Sequence, residues 1–122
     1  MGRSIKSWCL ATTGGLAYLL LAGCAQQKPL YQWEGYQQQV YQYLKGEPKE
    51  QQIEVLEADL QKIKAQDGAV PPGYHAQLGL LYSSLGKDDQ MVQQFQTEKA
   101  LFPESATYMD FLLNNAKKGG QQ

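Results

Sequence analysis

Residues 72–105 read PGYHAQLGLLYSSLGKDDQMVQQFQTEKALFPES, and the fold turns on this stretch. Tyr74, Leu78, Leu81, Tyr82 and Leu85 recur at helical spacing and predict an apolar helix over about 74–85. Gly86 stops it, and a side-chain oxygen of Asp88 or Asp89 is placed to cap the next helix. Met91, Val92, Phe95 and Phe102 line the inner side of that second helix, which Pro103 ends. The stretch is a helical hairpin.

The same punctuation extends in both directions. Tyr36, Val40, Tyr43 and Leu44 share one face of a helix predicted over 35–45, closed by Gly46-Glu47-Pro48. Ile53, Leu56, Leu60 and Ile63 form the stripe of a longer helix over 49–66. The run 67–73, with two prolines and two glycines, then breaks the chain. Beyond Pro103, Ser105 is placed to cap a fifth helix striped by Ala106, Met109, Leu113 and Ala116. Lys117 and Lys118 lie at its C-terminus, where positive charge complements the helix dipole. The predicted fold class is all-α, about five helices and no strand, with the domain over 30–118 and a tail at 119–122.

Residues 72–105 resemble one tetratricopeptide repeat of roughly 34 residues. With Pro103 at the repeat's terminal proline, Leu78-Gly79 falls on its Leu-Gly pair, Tyr82 on its tyrosine and Phe95 on the large residue of its second helix. Gly79 lets the two helices approach closely, and Tyr82 and Phe95 fill the space between them. Three positions depart from the pattern. His75 stands where tryptophan is preferred, and Met91 and Glu98 where alanine is preferred. Residues 35–66 read as a degenerate earlier pair and 105–117 as a terminal capping helix. The resemblance implies a short tetratricopeptide-like array; an unrelated helical bundle is the alternative.

Upstream of the domain, residues 1–23 have the parts of an export signal. Arg3 and Lys6 form a basic start, an apolar run extends from Trp8 to Ala22, and the segment ends Leu21-Ala22-Gly23-Cys24. The run is short for a membrane span, which needs roughly 20 apolar residues. Leu-Ala-Gly-Cys resembles the lipobox of bacterial lipoproteins. Small side chains at Ala22 and Gly23 admit a membrane-embedded peptidase, and the Cys24 thiol takes a diacylglycerol as a thioether. Each buried acyl methylene contributes roughly 0.8 kcal/mol, so several chains anchor stably. The resemblance implies cleavage before Cys24, a lipidated tether over 24–29, and a membrane lipid anchor. Ala25 follows the cysteine where aspartate would favour the inner membrane, which implies the outer membrane, facing the periplasm.

Charge and cysteine usage narrow the function classes. Of eleven basic residues two lie in the leader, leaving nine Lys against twelve Asp and Glu and a net charge near −3. The basic footprint of a nucleic-acid binder is absent, so no nucleic-acid partner is expected. Cys9 lies in the leader, and Cys24 alone remains, so the mature chain forms no internal disulfide. Helix packing must hold the domain together.

Between tether and first helix lies an aromatic tract, with Tyr31, Trp33, Tyr36, Tyr41 and Tyr43 within thirteen positions. It serves either as core packing or as an interface, since Trp and Tyr are enriched at binding hot spots; wall glycan stacking on the rings is a third option. The element Pro29-Leu30-Tyr31-Gln32-Trp33-Glu34-Gly35-Tyr36, running into Tyr41-Gln42-Tyr43-Leu44-Lys45, is similar to the opening of a lipoprotein family of unknown function, domain-of-unknown-function family 4810. That resemblance implies a multi-lipoprotein assembly in the envelope, with a CsgG-like lipoprotein as partner.

Catalytic constellations are thin. His75 is the only histidine, and a metal site needs several convergent ligands, so neither a metal nor a cofactor is expected. Glu54 with Glu57 and Asp88 with Asp89 read as a solvated face and a cap rather than acid–base pairs. Ser83-Ser84 lacks a nucleophile elbow and a neighbouring histidine. No enzyme activity is expected.

In the tetratricopeptide register the first helix of a pair lines the concave face. Here that places Gly73, Ala76, Leu80, Ser83 and Ser84 in a candidate groove, with Tyr31, Trp33 and Tyr36 as a second candidate contact surface. These small or apolar groove residues suit an apolar helix or extended segment rather than a charged C-terminus. The expected role is an interaction or assembly module in an envelope complex. The alternative is a structural or peptidoglycan-binding lipoprotein with no dedicated protein partner.

Overall fold

The computed structural model describes residues 28–119. The leader, Cys24 and the first residues of the tether lie outside the described residues, as do 120–122. Five α-helices follow one another: α1 (Tyr36–Lys45), α2 (Lys49–Ala65), α3 (Tyr74–Ser84), α4 (Asp88–Leu101) and α5 (Ala106–Gly119). A 3₁₀ turn over Pro103–Ser105 joins the last two. Among the described residues there is no strand. The all-α expectation is met, with α5 reaching one residue into the segment read as tail.

Each helix packs on its neighbours in the chain, and α3 against α4 is the most extensive contact. Three-residue connections at 46–48 and 85–87 force α1/α2 and α3/α4 into antiparallel hairpins. The starts of α1, α3 and α5 and the ends of α2 and α4 therefore share one edge of the domain. The polypeptide enters at that same edge.

The apolar stripes read from the sequence meet in one core of Ile53, Leu56, Leu60, Ile63, Tyr74, Leu78, Leu81, Tyr82, Met91, Phe95 and Met109. Leu56, Ile63, Tyr74, Leu78 and Leu81 are fully buried, and each such side chain contributes about 1.5–3 kcal/mol. Gly79 on α3 faces the Phe95 ring on α4. A Cβ there would collide with the Phe95 ring, so only glycine lets the helices meet at this distance.

Three local expectations are corrected. Leu44, placed on the inner face of α1, is 78% exposed: Tyr36, Val40 and Tyr43 turn inward, and the short helix cannot bury an adjacent position as well. Asp88 and Asp89 do not cap α4. The cap position is Lys87 with no side-chain bond, and the aspartates occupy the first turn, where they act on the helix dipole only. Ser105 does not cap α5 either. It is absorbed into the 3₁₀ turn, its Oγ is buried without a hydrogen-bond partner, and the helix starts directly from that turn.

Candidate functional site

The segment before α1 is strapped onto the shared edge rather than hanging from it. The Gln32 backbone N–H donates to Ala69 O at 2.9 Å, and its side-chain amide donates to Gln66 Oε1 at 2.9 Å. Lys28 Nζ reaches Gln66 O at 3.4 Å. The Gly35 N–H donates to Asp59 Oδ2 at 2.9 Å, while Lys62 Nζ donates to Asp59 Oδ1 at 2.8 Å. Asp59 is buried on α2 and thus ties the strap to the second helix. Its bond to Lys62 raises the lysine's pKa.

The aromatic tract forms a ladder across this edge. Tyr31 meets Phe102 edge-on at 6.3 Å and Trp33 at 6.4 Å; Trp33 lies 5.8 Å from Tyr36, which stacks on Tyr74 at 5.2 Å. Tyr74 is fully buried and its hydroxyl donates to Leu56 O at 2.9 Å. Burial raises the pKa of the Tyr74 hydroxyl, with the charges of Asp59 and Glu34 adding to it. Burial likewise raises Tyr36, helped by Glu98. Of the three predicted contact aromatics, Tyr31 and Tyr36 are half-buried within the domain and Trp33 stays 40% exposed at its rim.

Glu98 explains a departure from the repeat pattern. Its carboxylate is buried and turned toward the N-terminus of α3. Oε1 accepts the Gly73 N–H at 2.5 Å; Oε2 accepts those of His75 at 3.1 Å and Ala76 at 3.3 Å. A glycine at the cap position has no side chain to satisfy the free N–H groups, so a carboxylate from α4 does so and also meets the positive end of the dipole. Gly73 itself adopts φ 89°, and a Cβ there would press on the Tyr36 hydroxyl. Its conformation is set by this turn.

The other predicted groove residues lie along α3. Ala76 and Leu80 are half-buried against the core, and Ser83 and Ser84 are exposed. The Ser84 hydroxyl is turned back onto Leu80 O at 2.8 Å. His75 is buried, with Nδ1 2.7 Å from Gln94 Oε1, beside an open groove of about 680 Å³ between α2 and α4. Glu57 on that groove accepts the Tyr82 hydroxyl; burial, and then this bond, pushes the Tyr82 pKa up to about 12. Among the described residues no cluster of three His, Cys, Asp or Glu could hold a metal ion. None of the described helices is long and apolar enough to cross a membrane.

The outer faces of the two terminal helices carry exposed apolar side chains, of which Tyr108 and Phe111 do not figure in the sequence reading. Tyr108 and Phe111 on α5 are 56% and 57% exposed and stack on one another at 6.4 Å. Tyr41 and Leu44 stand exposed on the free side of α1, with Lys45 Nζ 4.8 Å from the Tyr41 ring centroid. The signal was present. Tyr108 and Phe111 are spaced i, i+3, and both fall off the inner stripe of Met109, Leu113 and Ala116.

No curated protein and no solved structure matches the chain. The family model described as "Domain of unknown function (DUF4810)" matches residues 30–112, from the strap through the middle of α5. The chain belongs to the DUF4810 family.

Proposed function

We propose that the protein is a lipoprotein, anchored through acyl chains on Cys24 to the outer membrane and facing the periplasm, whose helical domain holds another envelope protein. The observation that carries this reading is the pair of apolar faces at the ends of the helix array. Stacked-helix proteins need terminal helices with polar outer faces to stay soluble. Here the outer face of α5 offers Tyr108 and Phe111, and that of α1 offers Tyr41 and Leu44. Exposed aromatic and leucine side chains at the places where an array would continue suit a partner that supplies the next packed element. The α3 face with Leu80, Ser83 and Ser84 is the second candidate contact. The family resemblance makes a CsgG-like lipoprotein the first partner to examine.

Photocrosslinking in cells from Phe111 and from Leu80, with mass spectrometry of the membrane fraction, tests this role. A single dominant envelope-protein adduct supports it and tells which face is used. A folded, lipidated protein that yields no adduct from either position, and that sediments with purified peptidoglycan, would establish the wall-binding alternative instead.

A further inference from the structure

We propose that the strapped edge of the domain lies directly on the lipid surface, with Leu30, Trp33 and Leu101 seated in the bilayer interface. The inference rests on the reading that Cys24 carries acyl chains and adds to it how the domain is held. Three residues separate Cys24 from Lys28, and the four steps between them span at most about 14 Å of extended chain. The backbone is bonded to the α2–α3 loop at Gln32, whose N–H donates to Ala69 O at 2.9 Å, and the eight steps from Cys24 to Gln32 span at most about 29 Å. The edge is thereby confined close to the membrane whatever its composition.

Its composition is apolar where the tether leaves. Leu30 is 77%, Leu101 52% and Trp33 40% exposed, and Tyr31, which meets both Trp33 and Phe102, links the strap to the end of α4. Beside Leu101 opens a pocket of about 340 Å³ lined by Tyr31, Gly68, Ala69, Val70, Leu101 and Phe102, without a charged side chain. Tryptophan at a polar–apolar boundary is characteristic of membrane interfaces. Glu34, Asp67 and Glu104 flank these residues along the chain together with Lys28 and Lys64. With charge of both signs, attachment relies on apolar side chains, not on anionic lipid.

Trp33 is the only tryptophan left once the leader is removed, so it reports on this edge alone. The mature lipidated protein is reconstituted in phosphatidylcholine vesicles with or without a bromine label at a shallow acyl position. The expected result is loss of most Trp33 emission in labelled vesicles, abolished by Leu30→Asp with Leu101→Asp. Both leucines are exposed, and circular dichroism checks that the variant keeps its helices. Protein that floats with the vesicles and carries the acyl mass, yet emits equally in both, overturns the inference and leaves the anchor standing. Blue-shifted but unquenched emission would mean that a second copy or another protein surface covers the edge, which also overturns it. Protein lacking the acyl mass would remove the anchor and this inference together.

Discussion

The Glu98 carboxylate accepts the backbone N–H of Gly73 at 2.5 Å, joining the last turn of α4 to the first turn of α3. The same side chain takes the N–H groups of His75 and Ala76 as well. A charge buried this deeply is tolerated because it is surrounded by backbone donors and faces a helix N-terminus. The relationship closes the α3–α4 hairpin at its open end, opposite the turn at Gly86. It also holds Gly73 against the Tyr36 hydroxyl and so supports the aromatic ladder of the strapped edge.

Glu98→Ala therefore has an outcome opposite to what the repeat pattern implies. Alanine is the residue the pattern prefers, yet the substitution leaves three N–H groups without their acceptor. A loss of about 2–3 kcal/mol is expected, read as a lowered urea midpoint. A neutral or stabilising effect would show that the cap is dispensable.

Gly79→Ala puts a methyl group into the Phe95 ring. Overpacking of this kind costs about 1–3 kcal/mol. The cost should shrink by at least about 0.5 kcal/mol in a Phe95→Leu background, because residues in contact are coupled. Equilibrium unfolding of the two single variants and the double variant measures that coupling.

Tyr82 sets a direction for the alkaline limb of stability. Its hydroxyl, ordinarily at 10.0, is pushed up to about 12 by burial and by its bond to Glu57. The folded state then keeps a proton that the unfolded state has lost, so the contribution is whole below pH 10 and disappears as pH rises through about 12. Tyr36 and Tyr74 act in the same direction. Tyr82→Phe should cost about 1 kcal/mol at neutral pH and flatten the decline between pH 10 and 12. Denaturation midpoints across that range give the slope for each protein.

Helix positions were legible in the sequence because each apolar stripe has the helical period and each helix is followed by glycine or proline. Gly46, Pro48, Gly86 and Pro103 mark ends that the structure reproduces. The close approach at Gly79 was legible for the same reason, as a small residue facing Phe95 in a known spacing. Capping was not. Asp88, Asp89 and Ser105 have suitable side chains in suitable places, but the real cap of α3 comes from Glu98, distant along the chain. Local rules see a helix start and its own neighbours; they do not see an acceptor arriving from another helix. The candidate site was legible in part. Tyr31 and Tyr36 stand out in the sequence as part of an aromatic tract, but whether an aromatic packs inward depends on which element lies opposite, and Tyr74 and Phe102 decide that. Tyr108 and Phe111 were not legible from periodicity, because they lie off the stripe of Met109, Leu113 and Ala116 that makes the core.

The most direct test of partner holding is to purify the tagged, lipidated protein from detergent-solubilised envelopes, as wild type and with Tyr108→Asp and Phe111→Asp together. Both side chains are exposed, so the unfolding midpoint should stay within about 0.5 kcal/mol of wild type. The expected result is one envelope protein recovered in near-stoichiometric amount with the wild type and lost with the variant. Equal recovery from both, or no envelope protein from either, would contradict the assignment of the α5 face as the contact that holds it.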